Sequence, residues 1–519
     1  MFVFLPTIYF YSFISFILQK FFMQKTNSIL LLLLFALIIM AGSCTHQPEE
    51  ILSSGYPTQV DSIMKTSCAV SGCHDNNNTQ LSLDTWENMM KGSSDLGAVT
   101  IPYSADWSHV FTHINTFADL GFQVSEPSDL MPPNNPLAKT KVSIIQDWIM
   151  SGARNKDGNY YWASQELKST NKAFMLCSGS DLVAVVDIPT NHIMRYVKVG
   201  VNPDDTTPES PHFIILSPDK QYFYVSLIMG RYIEKYSTKD YSFQGRVKVG
   251  DSPSVLRLNA SGTRMIVTHF NNAISASKLT LLNTQTMTGL DSIVGDSEAK
   301  PHGITANNDF SKIYITASEG NYYSKYSVAN DKFVEVDKIV LAPSEPSPQG
   351  STAYGGYQAL LSPDGSKLFI SCATQNTIRV FNTANDALIS TITTETYPRL
   401  MVYDEVTNRI FVTCAQAQNT AVQGSIRGCI SVIDANGLSF IQNIWNVSHR
   451  PHGIDIDPVN RTLYISAENT GGAEPPHHPT TGTGSFPGWY NMIDLNTLAV
   501  MPAKKTQIAG FPTSLCVGN

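Results

Sequence analysis

Seven times between Ser210 and the C-terminus the chain returns to the same short apolar stretch. It reads SPHFIILSP from Ser210, SPSVLRLN from Ser252, KPHGITAN from Lys300, GYQALLSP from Gly356, YPRLMVYD from Tyr397, RPHGIDID from Arg450 and FPTSLCVG from Phe511. Most of the intervals run from 41 to 56 residues, and a repeat of that length made of short alternating strands is the signature of a propeller blade. One complete unit, YGGYQALLSPDGSKLFISCATQNTIRVFNTANDALISTI, holds four strands, with SPDGSK as the tight turn between the first two. The seventh stretch has no strands after it, whereas KAFMLCSGSDLVAVVDIPTNHIMRYVKVG supplies three strands without a first. The two ends are therefore expected to complete one blade, closing an all-β, seven-bladed propeller over 172–519 and removing the edge an open array would leave.

SPDGSKLFIS and DPVNRTLYIS resemble the repeats of YVTN-type β-propellers of exported bacterial proteins, a likeness that spans about 345 residues. It implies fold and leaves function open. Aligning the blades makes His212, His302 and His452 equivalent, each just after a proline, so they are expected to ring one mouth of the central tunnel. The loops on the same face bring His269, Glu319, Glu468 and an insertion with His477 and His478. Imidazoles and carboxylates converging there suit a metal or a polar ligand; the alternative is that the PHG histidines only cap neighbouring strands. The alignment also sets Cys414 and Cys429 face to face, which predicts a disulfide stapling AQAQNTAVQGSIRG, the alternative being two buried thiols. Cys177 and Cys516 fall about three positions apart on opposite faces and are not expected to pair.

Upstream of the repeats the chemistry is concentrated in SCAVSGCHD, where Cys68, Cys73 and His74 form a C-x4-C-H pattern. Two thiols followed directly by a histidine suit covalent haem attachment, with the histidine as proximal ligand; the usual spacer is two residues shorter, and the alternative is a small disulfide loop. LSLDTWENMMKG is helical in pattern from a capping Asp84, and LAKTKVSIIQDWIMSGA places Ile144, Ile145, Trp148 and Ile149 on one apolar face. Between them, in SDLMPPNNPL, two prolines hold the chain extended beside Met131. These segments resemble the small cytochrome c domains fused to many exported bacterial proteins. The resemblance covers about 100 residues and implies one covalent haem c on Cys68 and Cys73, with His74 and Met131 as axial ligands. His113, in HVFTHINTF, is the rival distal ligand; otherwise His109 and His113 are expected at the surface.

The N-terminus reads as an export signal. SILLLLLFALIIMAGSC follows Lys20 and Lys25, and Ala41-Gly42-Ser43-Cys44 resembles a lipobox, although Ala41 stands where leucine is commoner. This implies a lipoprotein anchored through Cys44, in the periplasm or at the outer membrane and cell surface. The apolar stretch before Met23 is either upstream of the true start or an additional membrane helix. The chain thus divides into a leader (1–43), a tether (44–55), a cytochrome c-like all-α domain (56–155), a linker (156–171) and the propeller.

Without the leader, 33 basic residues stand against 43 acidic ones, which disfavours nucleic acid as a partner. No phosphate loop or Ser-His-Asp arrangement supports a kinase or hydrolase. The leading expectation is a monomeric electron carrier with an unidentified redox partner, the propeller serving as docking surface. A second reading is a periplasmic oxidoreductase using the propeller mouth. Its cytochrome-propeller fusion is similar to that of nitrite reductases carrying haem d, and its histidine-lined propeller resembles nitrous-oxide reductases, whose copper pattern is absent. A third is an adhesion or scaffold protein without haem.

Overall fold

Seven antiparallel sheets succeed one another from Lys172 to the C-terminus, each of four strands except the seventh, which gains a fifth. The computed structural model describes residues 53–519 apart from 79, 94–96, 125–126, 201–207, 274, 296–297, 475–485 and 502–504. The leader, Cys44, His477 and His478 lie outside the described residues.

Blade 1 contains Lys172–Cys177, Leu182–Asp187 and His192–Lys198, and its innermost strand is the C-terminal Pro512–Gly518. Phe174 stands opposite Cys516 and Cys177 opposite Pro512. The ring is therefore closed by the two ends of the repeat region. Blades 2 to 7 open with the inner strands Pro211–Leu216, Pro253–Leu258, Pro301–Ala306, Gly356–Leu361, Pro398–Asp404 and Pro451–Asp457. Second strands such as Arg409–Cys414 and Thr462–Ala467 are buried almost throughout, whereas outer strands such as Phe243–Lys248 and Ser439–Ile444 are largely exposed. That is why FVTC and YISA read as continuous apolar runs: neighbouring blades cover both faces.

A hydroxyl near the end of the second strand stitches the ring together. In blades 2 to 6, Ser226, Thr268, Thr316, Ser371 and Thr413 accept from an inner-strand N–H of their own blade (Phe213, Val255, Gly303, Gln358 and Leu400) at 2.8–3.2 Å. In blades 3 to 6 the inner-strand register shifts leave these amides without a ladder partner, whereas Phe213 stands opposite Ser226 itself. Each hydroxyl also reaches the next blade: Ser226 donates to the Ser254 carbonyl at 2.6 Å, Thr268 to His302 at 2.6 Å, Thr316 to Tyr357 at 3.4 Å, Ser371 to Arg399 at 2.8 Å and Thr413 to His452 at 3.2 Å. Blade 1 has Leu176 at the matching place, and Thr513 bonds the His212 carbonyl instead, at 3.0 Å.

The preceding residues form short helices: α1 (Thr58–Ile63), which runs into a π-helical turn at Met64–Cys68, then α2 (Trp86–Lys91), α3 (His109–Thr112), α4 (Lys139–Met150) and α5 (Ala163–Glu166). The cap of α2 is Thr85, whose side chain accepts from Asn88 N at 3.1 Å, and not Asp84. Asp84 instead binds the Thr85 N–H and the Asn88 side chain. α4 buries Val142, Ile145, Trp148 and Ile149, with Ile144 at the margin.

Gly55–Asn519 forms one compact unit, because the helices share apolar clusters with the propeller. Ile101 and Trp107 pack in one cluster with Met175 and Tyr196 of blade 1, the Trp107 and Tyr196 rings lying 5.4 Å apart. The stretch expected as a linker takes part: Trp162 is buried, and Gln165 Nε2 donates to the carbonyls of Thr170 and Asn171 at 2.9 Å.

Candidate functional site

The C-x4-C-H residues sit where the first helix ends. Cys68 closes the π-helical turn, with Ala69 N donating to Met64 O at 2.8 Å, and a turn from Val70 to Cys73 (3.0 Å) absorbs the long spacer. Gly72, at φ +82°, supplies the left-handed residue this turn needs. His74 N then donates to Cys68 O at 3.2 Å, bringing the histidine back beside the first cysteine. Both cysteines are free thiols, and burial pushes the Cys68 thiol up to about 11.

Cys68, Cys73 and His74 line a cleft of about 460 Å³ together with Met131, His113 and His109, a size within the range of cofactor sites. Leu81, Leu83, Val99, Val110 and Ile114 make the rest of its wall apolar. His74 Nδ1 lies 3.2 Å from the Leu81 carbonyl, which fixes that nitrogen as the protonated one and leaves Nε2 as the lone-pair donor. His113 Nδ1 is 2.9 Å from the His109 carbonyl, so the same tautomer holds there. His109 and His113, expected at the surface, both line the cleft; His109 is buried because α3 turns inward, packing Phe111 and Ile114 into the helical core.

At the propeller mouth the equivalent histidines do converge. The second position of the seven inner strands reads His212, Ser254, His302, Tyr357, Arg399, His452 and Thr513. The His212 ring lies 6.0 Å from that of His302 and 6.4 Å from that of His452. Tyr357 bridges the other two: His302 Nδ1 bonds its carbonyl at 2.7 Å and its hydroxyl meets His452 Nε2 at 2.7 Å. The glycine of PHG permits this closeness, since a Cβ at Gly303 would overlap the Gln358 backbone of the next blade. Burial pushes His212 down to about 3 and His302 to about 4, and holds His452 well below its ordinary value, so all three are neutral.

Glu468 belongs to this ring, accepting from Arg399 NH1 at 2.5 Å and Arg450 Nε at 2.9 Å, with His452 Nδ1 3.4 Å from it. His269 and Glu319 do not join it. His269 is consumed inside blade 3, where its nitrogens meet the Asp251 carbonyl at 2.8 Å and Thr280 Oγ1 at 2.9 Å. Glu319 is held by Lys300 at 2.8 Å and Asn272 at 2.6 Å. Among the described residues no three His, Cys, Asp or Glu side chains are grouped so as to hold a metal ion. Tyr357 and Arg399 were legible only as members of the repeat column that yields the histidines.

Cys414 and Cys429 are directly opposed across their ladder, but as free thiols rather than the expected disulfide. Cys414 Sγ lies 3.3 Å from Ser431 Oγ. Opposed strand neighbours already have the Cα separation a disulfide needs, so bond formation here depends on oxidation and not on backbone movement.

No protein-family model matches the chain, and no curated protein matches it. Among solved structures, a functionally unknown protein from Desulfotomaculum acetoxidans is 12% identical with a TM-score of 0.51, over 67% of this chain and 98% of its own. Hydrazine synthase of Kuenenia stuttgartiensis is 18% identical at a TM-score of 0.44, over 58% of this chain and 81% of its own. The dihydro-haem d1 dehydrogenase NirN, solved in complex with DHE, is 11% identical at 0.44, over 82% and 94%. At 12% identity the first of these likenesses concerns fold alone.

Proposed function

We propose that the helical segment carries one covalently attached haem c and that the chain is an electron-transfer protein, exported and anchored through Cys44, whose propeller docks a redox partner. One observation carries this reading: Cys68, Cys73 and His74 meet Met131 and His113 across a single apolar cleft, with His74 Nδ1 already tied to a backbone carbonyl. The donor set fits the group. Cys68 and Cys73 would hold it covalently, each adding S–H across a vinyl group, and His74 Nε2 and the Met131 thioether would offer nitrogen and sulfur to its iron. When bound, haem c supplies a one-electron iron couple. The chain's part is to orient its ligands and keep water away: Leu83, Val99, Val110 and Ile114 surround the site with hydrocarbon, which favours the less charged, reduced state.

The test is a pyridine haemochrome spectrum of protein matured in a host with c-type haem machinery, comparing wild type with Cys68→Ala, Cys73→Ala and the double variant. One haem per chain that resists acid-acetone extraction, and is lost in the double variant, is the expected result. A colourless wild type with a Cys68–Cys73 disulfide would overturn the reading and leave an adhesion or scaffold propeller.

A further inference from the structure

The ring at the tunnel mouth carries a charge that its own residues do not balance. Arg399 and Arg450 both bond to Glu468, so two guanidiniums share one carboxylate, and the three imidazoles beside them are neutral. Arg399 is 7% exposed and its Nε–H has no hydrogen-bond partner among the described residues; nor has Ser254 Oγ, which is fully buried. A buried cation with an unused donor is costly unless something negative meets it. Solvent reaches the ring, because His212 and Tyr357 are only half-buried.

We propose that this mouth is a binding site for one small monoanionic oxyanion or carboxylate, held between His212, Tyr357 and Arg399. The His212 ring packs edge-on against those of His302 and His452, with centroids 6.0 and 6.4 Å apart, so the three imidazoles present one continuous face to the tunnel mouth. A metal is the poorer occupant: His302 Nδ1 is spent on the Tyr357 carbonyl and His452 Nε2 on the Tyr357 hydroxyl. Burial raises the Tyr357 phenol to about 12, so it adds no negative charge to the ring. The inference goes beyond the haem reading and uses none of the cleft residues.

Formate is a suitable probe, titrated calorimetrically into the full chain in a low-chloride buffer at constant ionic strength. Removing a positive charge with Arg450→Gln, at a half-exposed side chain, should weaken binding by roughly five-fold or more, and Glu468→Gln should tighten it by a similar factor. Opposite signs from two substitutions that break the same ion-pair network cannot both arise from misfolding. His212→Ala should also weaken binding. The Cys68→Ala/Cys73→Ala chain should bind as wild type does, so loss of the haem reading and loss of this one are separable. No formate heat from either wild type or Glu468→Gln would overturn the proposal, as would an affinity unmoved by all three mouth substitutions.

Discussion

The backbone N–H of Met131 donates to the carbonyl oxygen of His113 at 2.7 Å, tying the two rival distal ligands to one stretch of the cleft lining. His113 presents its Nε2 in one fixed direction, because its Nδ1 is bonded to the His109 carbonyl. If haem is held at Cys68 and Cys73, an unbranched thioether would adapt to its iron more readily than this imidazole. Met131 is therefore expected to be the ligand. Methionine ligation raises the potential of a c-type haem, so Met131→His should lower the midpoint by roughly 0.1 V or more, within the ~0.8 V that axial ligands span. His113→Ala should leave it nearly unchanged. Spectroelectrochemical titration checks both, and the reverse pattern would assign the position to His113.

The hydroxyl stitches give a second expectation. Thr413 accepts from Leu400 N at 3.1 Å and donates to the His452 carbonyl at 3.2 Å, joining blades 6 and 7 from a fully buried position. Thr413→Val keeps the shape and leaves a buried amide and a carbonyl unpaired, at a cost of roughly 1–3 kcal/mol. Thr413→Ser should recover most of that. Guanidinium unfolding midpoints decide the matter, and a valine variant as stable as wild type would show that the hydroxyl contributes nothing.

How much of this was legible beforehand follows from what repeats. The blade count and the closure of Lys172–Cys177 by Pro512–Gly518 could be read because each blade restates the same apolar pattern, and the missing first strand at one end matches the surplus strand at the other. The convergence of His212, His302 and His452 was legible from the same column, but the partners that complete the ring were not: Tyr357 and Arg399 differ in residue type from the histidines they stand beside. Nor is there a sequence signal for the positive φ of Lys300, Tyr397 and Phe511 just before their inner strands, since such bulky residues seldom adopt it. The inward turn of His109 escaped for another reason: a four-residue helix is too short to show a period.

A third expectation concerns the opposed thiols. Burial pushes the Cys429 thiol up, whereas hydrogen bonds from Cys429 and Ser431 outweigh burial at Cys414 and lower it, so Cys414 is the attacking sulfur and is shielded from solvent. Exchange with oxidised glutathione should be slow but should proceed to a Cys414–Cys429 disulfide, with two equivalents of glutathione released as thiol per oxidised glutathione consumed. In the Cys68→Ala/Cys73→Ala chain, which has no exposed thiol at the cleft, titration in denaturant should then find two fewer thiols than before treatment. A bond closing a loop of this length is worth roughly 3 kcal/mol, which unfolding of the oxidised and reduced forms would measure. An unchanged thiol count after prolonged treatment would show that the pair is sealed against oxidation.

The last expectation is a pH dependence. His269 is fully buried, both of its nitrogens are hydrogen-bonded, and burial lowers it from 6.5 to about 4. In the folded chain it stays neutral through the range in which the unfolded chain takes up a proton. Its contribution to stability is therefore complete above pH 6.5 and is lost as the pH falls towards 4, reaching about 3 kcal/mol at most. His269→Gln removes the titrating group, so the variant should be the less stable protein at pH 7, where it forfeits well-made hydrogen bonds. The gap between variant and wild type should narrow steadily between pH 6.5 and 4.5 in chemical-denaturation curves. A gap that stays constant over that interval would mean that His269 carries its proton in the folded chain as readily as in the unfolded one, and that its bonds to Asp251 and Thr280 do not hold it neutral.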